Sequence, residues 1–372
     1  MEFTEVASWL VWILPLLSSV FVPLVARVNE KARNYFVIVI SAITAFLAFS
    51  LFPIITSTTQ SLITYTASWI PSISGLPAIT AGVFVDPLSV FFACLVGFFG
   101  LIIAIYSQGY MKEEEGLTRY YFFFLLFIGS MIGLVLSDNF LQMFIFWEMV
   151  GLCSYSLISF WYHKPESIRA GVKVFLMTRV GDILLLSAIG LLYANLGTFS
   201  FHQTMNLIGT LDVTTLTVVA FLVLGGAISK SAQLPLQTWL YSAMEAPTSV
   251  SALLHAATMV KAGIFLVARF IVIAGPLVAT LPLWLPTVAW VGVLTAFIGA
   301  TMALYTSDIK GVLAYSTVSQ LGFMMAALGT VGDASSVGWT ASLFHMVSHA
   351  FFEGLGFLLA GGIIHATGTR DM

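Results

Sequence analysis

Long apolar stretches recur along the chain, and short connections between them carry most of the charged residues. A helix needs roughly 20 mostly apolar residues to cross the hydrocarbon core of a bilayer. The pattern predicts about eleven such spans, near residues 7–26, 35–56, 83–107, 118–137, 139–161, 171–195, 214–245, 248–273, 282–305, 309–331 and 339–364. We expect the seventh to be broken at Pro235, because a proline removes a backbone donor and clashes with the carbonyl four residues earlier. The sequence therefore predicts an all-α polytopic membrane protein.

Lysine and arginine are confined to alternate connections. The basic connections follow the first, third, fifth, ninth and eleventh spans, and they contain Arg27, Lys31, Arg33, Lys112, Arg119, Lys164, Arg169, Lys173, Lys310 and Arg370. The connections near 57–82, 196–213, 274–281 and 332–338 contain neither residue type. Because basic connections stay on the cytoplasmic side, the N-terminus is expected outside. The long connection 57–82 is expected to be an outer surface loop with short strands.

Composition agrees with this interpretation. The 372 residues are 59% hydrophobic and 8% charged, whereas about 25% of residues are charged in a soluble domain. The net charge of −3 includes no basic run that would indicate nucleic-acid binding. Cys94 and Cys153 form no CxxC pair, so we expect free buried cysteines rather than an iron–sulfur or haem site.

Few ionisable side chains fall inside the predicted spans. They are Glu148, Arg179, Asp182, Lys230, Glu245, Lys261, Arg269 and Glu353, together with His255, His345 and His349. Each charge costs roughly 2.5–3.5 kcal/mol on insertion scales, so such residues usually face a bundle interior or water and mark an ion pathway. Their concentration between residues 226 and 261, beside the broken span, predicts a path for protons or cations.

Glu148 and Lys230 lie at mid-depth in different spans and form the obvious candidate pair. Paired, each stabilises the charge of the other; separated, the carboxylate gains a proton and the amine loses one. A proton pump could use these two states, and a static ion pair between helices is the alternative. A broken helix at membrane depth is tolerated against protein or a water-filled cavity. We therefore expect water near Lys230, with an ordinary proline kink as the alternative.

The remaining ionisable groups are candidates for further proton-transfer sites. His255 and Lys261 are six residues apart and so lie on different sectors of a helix; His255 could relay protons or be structural. Arg179 and Asp182 are expected to pair on one face, as a local charge pair or in coupling. Glu245 ends the broken span and is a candidate proton-entry residue.

His345, His349 and Glu353 follow an i, i+4, i+8 spacing, which places them on one helix face. Such a row could pass protons along the helix. A histidine pair at this spacing can also bind a metal, but no third cysteine or histidine ligand is evident. Haem ligation would need a facing histidine, which His255 alone could supply. No metal or cofactor is therefore expected in this chain.

These residues lie in the runs WEMVGLCSYSLISFWY, TRVGDILLL, SKSAQLPLQTWLYSAMEAPTSVSALLHAATMVKAG, DIKGVLAYSTVSQLGFMM and HMVSHAFFEGLGFLLAGGIIH. The runs closely resemble the antiporter-like membrane subunits of respiratory complex I, above all the chain 5 or L-type subunit of NADH:quinone oxidoreductase. They also resemble subunits of F420H2 dehydrogenases, membrane-bound hydrogenases and Mrp-type Na⁺/H⁺ antiporters. The resemblance covers nearly the whole chain, from VDPLSVFF and YSQGYM onward.

The resemblance implies a role for each group. Glu148 and Lys230 match the glutamate–lysine pair of the first half-channel, Asp182 matches a carboxylate near that glutamate, and His255 matches the connecting relay.

His345 and His349 match the histidines that lead to a second half-channel. Family members usually carry a central lysine four residues later, where this chain has Glu353, and Lys261 is a candidate for the missing cation.

The resemblance also implies an organisation. Residues 1–117 would form helices 1–3 with the outer loop, 118–275 the first antiporter-like five-helix half-channel, and 276–372 an incomplete second half-channel. L-type subunits normally continue through about three more spans, so the chain is expected to be C-terminally short.

The expected function is proton translocation, as a non-redox subunit of an NADH- or F420H2-quinone oxidoreductase in a prokaryotic inner or plasma membrane. NADH, FMN, iron–sulfur clusters and quinone are expected in other subunits, and the partners are those membrane subunits and lipid, not nucleic acid. A subunit of a multisubunit cation/proton antiporter and an inorganic-carbon uptake subunit are the alternatives.

Overall fold

The computed structural model describes residues 3–56, 62–71, 79–332 and 337–372. Among them, eleven helical segments are long and apolar enough to cross a membrane. The predicted all-α polytopic fold and the predicted number of spans are therefore confirmed. The chain divides into two compact units, Met1–Leu157 and Ile158–Met372. The three ranges assigned to half-channels stay a prediction, since compactness alone does not delimit a channel.

The first unit consists of long helices and one hairpin. Its elements are α1 (Phe3–Val28), α2 (Glu30–Ser50), α3 (Phe52–Thr56), β1 (Ile63–Ile70), β2 (Ile79–Val85), α4 (Pro87–Tyr110), α5 (Leu117–Leu136) and α6 (Phe140–Ile158). Helix α1 packs on α2 and α5, and α2 packs on α4. A Cβ atom on Gly129 of α5 would lie 2.7 Å from the Leu16 side chain. The small residue there allows α1 and α5 to approach closely.

The hairpin confirms the short strands expected in the connection 57–82, of which 57–61 and 72–78 lie outside the described residues. Strands β1 and β2 are antiparallel, with Ile63 opposite Val85.

Polar side chains at the start of α6 hold the hairpin. The Gln142 amide accepts the Gly82 N–H at 2.8 Å and donates to the Gly82 carbonyl at 2.9 Å, while Asn139 donates to the Thr80 carbonyl at 3.0 Å. The adjacent Asp138 carboxyl is 3% exposed, and burial raises its pKa to about 6. The corner between α5 and α6 is therefore a buried polar anchor for β2.

The regular elements of the second unit are all helices over its described residues. Its elements are α7 (Pro165–Leu196), α8 (Phe201–Leu207), a 3₁₀ turn (Ile208–Thr210), α9 (Val213–Lys230), α10 (Thr238–Ser242), a 3₁₀ turn (Ala243–Glu245), α11 (Thr248–Ser251), a π-helical turn (Ala252–Ala257), α12 (Lys261–Ala274), a 3₁₀ segment (Gly275–Thr280), α13 (Trp284–Leu304), α14 (Ile309–Leu328) and α15 (Val337–Thr367). Helix α9 packs on α7 and α12, and α14 packs on α13 and α15. Small residues allow these contacts, since a Cβ atom on Gly181 of α7 would lie 1.9 Å from the Ser229 hydroxyl of α9.

Two spans of this unit are interrupted. The predicted break of the seventh is confirmed, because α9 ends at Lys230 and α10 begins at Thr238. The predicted eighth span is present, as Thr248–Thr280, and it too is interrupted. A π-helical turn and the non-helical residues 258–260 separate α11 from α12. No proline or glycine marks this interruption between residues 248 and 262, so the sequence carries no local signal for it.

Candidate functional site

The break after α9 is closed by protein groups. In the segment that follows Lys230 in the chain, the Gln233 N–H donates to the Ile228 carbonyl at 2.9 Å. The next N–H, of Leu234, donates to the Thr295 hydroxyl of α13 at 3.0 Å. These two backbone N–H groups of the break therefore have protein partners. The break gives no independent support for the water expected near Lys230, because a broken helix is also tolerated against protein.

Lys230, the last residue of α9, lies against α7. Its Nζ atom is 3.6 Å from Asp182 Oδ1, and the other Asp182 oxygen is 3.5 Å from Arg179 Nε. The predicted pairing of Arg179 with Asp182 is thus confirmed. Lys230 is completely buried and Asp182 nearly so, whereas the Arg179 side chain is 27% exposed. Two cations share one carboxylate, so a change of protonation at Lys230 alters the charge balance of the whole cluster.

Glu148, the predicted partner of Lys230, lies on α6 in the first unit and is half-buried. A contact between the two would join the units, and the pairing stays a prediction. At the level of sequence, only the family resemblance predicted that Asp182 lies near Glu148. The structure brings Asp182 itself next to the lysine.

His255 lies in the π-helical turn and is completely buried. Its ring centre is 6.3 Å from that of Trp239 and 6.0 Å from that of Phe357. Trp239 Nε1 donates to the carbonyl of Ser229, the neighbour of Lys230, at 2.9 Å. Among the residues that the structure describes, neither ring nitrogen of His255 has a hydrogen-bond partner. A buried imidazole of this kind can serve as a proton relay.

Lys310, which the sequence places in a basic connection, is enclosed by protein. It is 2% exposed, and its Nζ atom donates to the carbonyls of Met244 at 2.7 Å and Ala246 at 2.6 Å. The sequence contains a sign that Lys310 has specific partners. It lies in the first turn of α14, where the helix dipole disfavours a cation.

Lys261 begins α12 and reaches α15. Its Nζ atom donates to the carbonyl of Ala256 in the π-helical turn and to that of Met346 in α15, the latter at 3.1 Å. The side chain therefore ties the interruption of the eighth span to the histidine-bearing helix.

The predicted row on α15 lies beside Lys261, because the Met346 carbonyl that Lys261 contacts lies between His345 and His349. His349 Nε2 is 4.0 Å from Glu353 Oε2, and Glu353 accepts the Thr317 hydroxyl of α14 at 2.8 Å. His345 contacts the Gln320 side chain at 2.6 Å. The Lys261 amine and the Glu353 carboxyl thus belong to one buried cluster, in keeping with the role expected for Lys261. That role stays a prediction.

Glu245 lies at the surface of this unit. Its side chain is 41% exposed and pairs with Arg370 at 3.1 Å, and Arg370 also contacts Asp308. Its role in proton entry stays a prediction. Elsewhere, Cys94 and Cys153 are buried and free, as predicted. In residues 3–56, 62–71, 79–332 and 337–372, no three His, Cys, Asp or Glu side chains are grouped as metal ligands would be.

Comparison with known proteins agrees with this geometry. A family profile described as NADH:quinone oxidoreductase/Mrp antiporter, transmembrane, matches residues 137–372, and one described as NADH-ubiquinone oxidoreductase (complex I), chain 5 N-terminus, matches residues 69–121. NAD(P)H-quinone oxidoreductase chain 5 of Picosynechococcus sp. is 42% identical over 96% of this chain and 54% of its own length. F(420)H(2) dehydrogenase subunit L of Methanosarcina mazei is 45% identical over 77% of this chain and 45% of its own. The chain spans about half the length of the curated relatives it matches.

Solved structures give the same result. A chain of the Mrp complex from Dietzia sp. DQ12-45-1b matches 98% of this chain with 38% of its own length, a TM-score of 0.86 and 32% identity. A chain of the membrane-bound sulfane sulfur reductase, an archaeal respiratory membrane complex, matches 98% of this chain with 72% of its own length. Its TM-score is 0.87 and its identity 23%, so that likeness concerns the fold alone. Since the family profile covers more than half of the sequence, this chain belongs to the NADH:quinone oxidoreductase/Mrp antiporter family of membrane subunits.

Proposed function

We propose that the chain is a proton-translocating membrane subunit of a respiratory NADH- or F420H2-quinone oxidoreductase. The named relatives, a quinone oxidoreductase chain 5 and an F(420)H(2) dehydrogenase subunit L, support this complex. The observation that carries the proposal is the buried Asp182–Lys230 pair at a broken helix. Intramembrane ionisable residues at such positions mark ion pathways.

In this proposal the chain is a non-redox subunit. NADH or F420H2, FMN, iron–sulfur clusters and quinone bind to other subunits of the complex. The chain lies in the inner or plasma membrane of a prokaryote, with its N-terminus outside, among the other membrane subunits and lipid.

The proposed cycle begins when electron transfer elsewhere changes the charge at Glu148. That change alters the proton affinity of Lys230, while Asp182 stabilises the protonated lysine. Lysine suits this task because its protonation state responds readily to burial and neighbours. The released proton moves towards His255, which the Trp239 ring links to the end of α9.

The second stage uses the cluster around Lys261. A proton arriving there can be shared with His349 and Glu353, which lie 4.0 Å apart on α15. Lys261 donates a hydrogen bond to the π-helical turn that contains His255. Movement of this turn would therefore couple proton transfer at His255 to proton transfer at Lys261.

The test is proton pumping by the complex purified with its co-purifying subunits and reconstituted in liposomes. Lys230→Ala and Glu148→Ala are expected to lower proton uptake per quinone reduced, while Lys112→Ala, an exposed lysine in a basic connection, serves as control. Co-purification with quinone-reductase subunits is also expected. The mechanism would be refuted if Lys230→Ala and Glu148→Ala both took up as many protons per quinone reduced as the wild type.

A subunit of a multisubunit cation/proton antiporter is the second candidate. The match to a chain of an Mrp complex at 32% identity over 98% of this chain favours it specifically. Cation-driven proton movement without any electron donor, together with co-purifying small antiporter subunits, would select this function instead.

A further inference from the structure

A groove on the exposed side of α7 combines cations with an apolar wall. Its volume is about 470 Å³, within the range of ligand sites. The lining residues are Ile168, Arg169, Val172, Lys173, Leu176 and Met177. Spacings of three and four residues place them on adjoining sides of one helix. The groove therefore leads from a basic end near the start of α7 into the apolar part of the span.

The two cations can bind a phosphate together. Lys173 donates to the Ser242 hydroxyl at 2.8 Å and to the Thr238 carbonyl at 3.3 Å, so it is held in place with one ammonium donor remaining. Arg169 is exposed, and its guanidinium has no ion-pair or hydrogen-bond partner among the described residues. Guanidinium and ammonium groups form strong charge-assisted hydrogen bonds with phosphate oxygens.

The surroundings of the basic end place it at the level of lipid headgroups. Lys164 lies 4.4 Å from the centre of the Trp161 ring, and Tyr162 is 51% exposed. Tryptophan and tyrosine are enriched where a membrane meets water. One carboxylate, Glu166, stands in the first turn of α7, so cations outnumber anions at this end of the helix.

The apolar wall continues beyond the groove. Val172, Leu176, Val180 and Ile183 are all exposed, Leu176 and Ile183 by 60% and 65%. An acyl chain that followed these residues would cover them. A free anion would leave them bare.

We propose that this groove binds one anionic phospholipid from the leaflet beside the basic connections. Its phosphate contacts Arg169 and Lys173, and an acyl chain lies along Val172 and Leu176. A zwitterionic lipid would bind less well, because its own ammonium group offsets the phosphate charge. The proposal goes beyond the proposed function, since the site would exist in an oxidoreductase or an antiporter subunit alike.

The experiment places a fluorophore on Val172→Cys in the whole complex, reconstituted in nanodiscs; in this chain, Cys94 and Cys153 are buried and resist labelling. Quenching is compared between phosphatidylglycerol and phosphatidylcholine that carry the same nitroxide near the headgroup. The matched reference is Phe297→Cys, an exposed position seven residues from the end of α13. We expect the ratio of quenching by the anionic to the neutral lipid to be higher at 172 than at 297.

Substitution of the cation tests the chemistry. Arg169→Gln is expected to lower the enrichment at position 172 about fivefold, equivalent to ~1 kcal/mol for one basic residue near a membrane surface. Arg169→Lys should retain most of it, and Lys112→Gln, in another basic connection, should retain all of it. Millimolar inorganic phosphate should not abolish the enrichment, because the acyl chain contributes to binding.

Four results would overturn the proposal. They are equal ratios at positions 172 and 297, an enrichment unchanged by Arg169→Gln, loss of the enrichment in inorganic phosphate, and a label at 172 that neither lipid quenches. The last result would show that protein covers this face of α7.

Discussion

Replacing Asp182 by asparagine tests the electrostatic cluster at the end of α9. The substitution keeps the size of the side chain and removes a negative charge 3.6 Å from Lys230 Nζ. At an effective dielectric constant of about 20, two charges at this separation attract by about 5 kcal/mol. The desolvation of both groups offsets part of this attraction. Arg179, whose Nε atom is 3.5 Å from Asp182, would lose the same carboxylate charge.

We expect the variant to pump protons at least tenfold more slowly. A tenfold change needs about 1.4 kcal/mol, less than a third of the attraction removed. The assay is the initial rate of proton uptake by liposomes that contain the complex, divided by the rate of quinone reduction. Glu166→Gln removes an exposed carboxylate from the same helix and is the matched control.

A double-mutant cycle separates the pair from its surroundings. Asp182→Asn, Lys230→Met and the combined variant are compared by thermal unfolding of the complex. Contacting residues that share a network show coupling energies of roughly 0.5–3 kcal/mol, and a buried pair should approach the upper end. Wild-type pumping by Asp182→Asn, together with a coupling energy below about 0.5 kcal/mol, would refute this view of the cluster.

Three further changes probe other parts of the chain. Burial raises the pKa of the Asp138 carboxyl from 3.8 to about 6. Between about pH 4 and 6, the carboxyl is therefore protonated in the folded state and ionised in the unfolded state. The attachment of the hairpin should therefore weaken by up to about 3 kcal/mol as pH rises through this window, and Asp138→Asn should abolish that dependence in hydrogen exchange of β2; an unchanged pH profile would contradict it. Glu353→Lys would put a second cation beside Lys261 and should destabilise the complex by about 3–5 kcal/mol in thermal unfolding. Lys261→Glu in the same chain should restore most of this loss, and no recovery would contradict the charge pairing. Gly181→Val should prevent α7 from packing on α9 and lower the yield of folded complex, whereas Gly190→Val on the same helix, where a Cβ atom meets nothing within 4 Å, should be tolerated; equal yields would contradict the close packing.

Local patterns were sufficient for the spans because the bilayer imposes a length and an apolar composition on every crossing. The break after Lys230 was also predictable, since Pro235 cannot donate a backbone hydrogen bond wherever it lies. The interruption of the eighth span was not. There, the Ala256 carbonyl accepts a hydrogen bond from the Lys261 side chain, which also donates to the Met346 carbonyl of α15. That arrangement depends on the approach of α15.

The candidate site shows the same division. Hydropathy identified Lys230, His255, Lys261 and Glu353 as costly charges within spans, because a charge in hydrocarbon is unfavourable in any fold. Hydropathy could not identify the neighbour of each charge. Hydropathy did not identify Lys310 as a buried cation, because this residue lies in a connection between two predicted spans.

The sequence by itself determined the class of protein, the number of spans, the break at Pro235 and several of the buried ionisable residues, among them Lys230, Lys261 and Glu353. Each of these follows from properties of single residues or short segments in a membrane. The tertiary structure decided that Asp182 lies beside Lys230 and that Lys261 joins the row on α15. It did so through the close packing of α7 on α9 and of the π-helical turn on α15. Distances between helices depend on side chains far apart in the chain, so no local pattern encodes them.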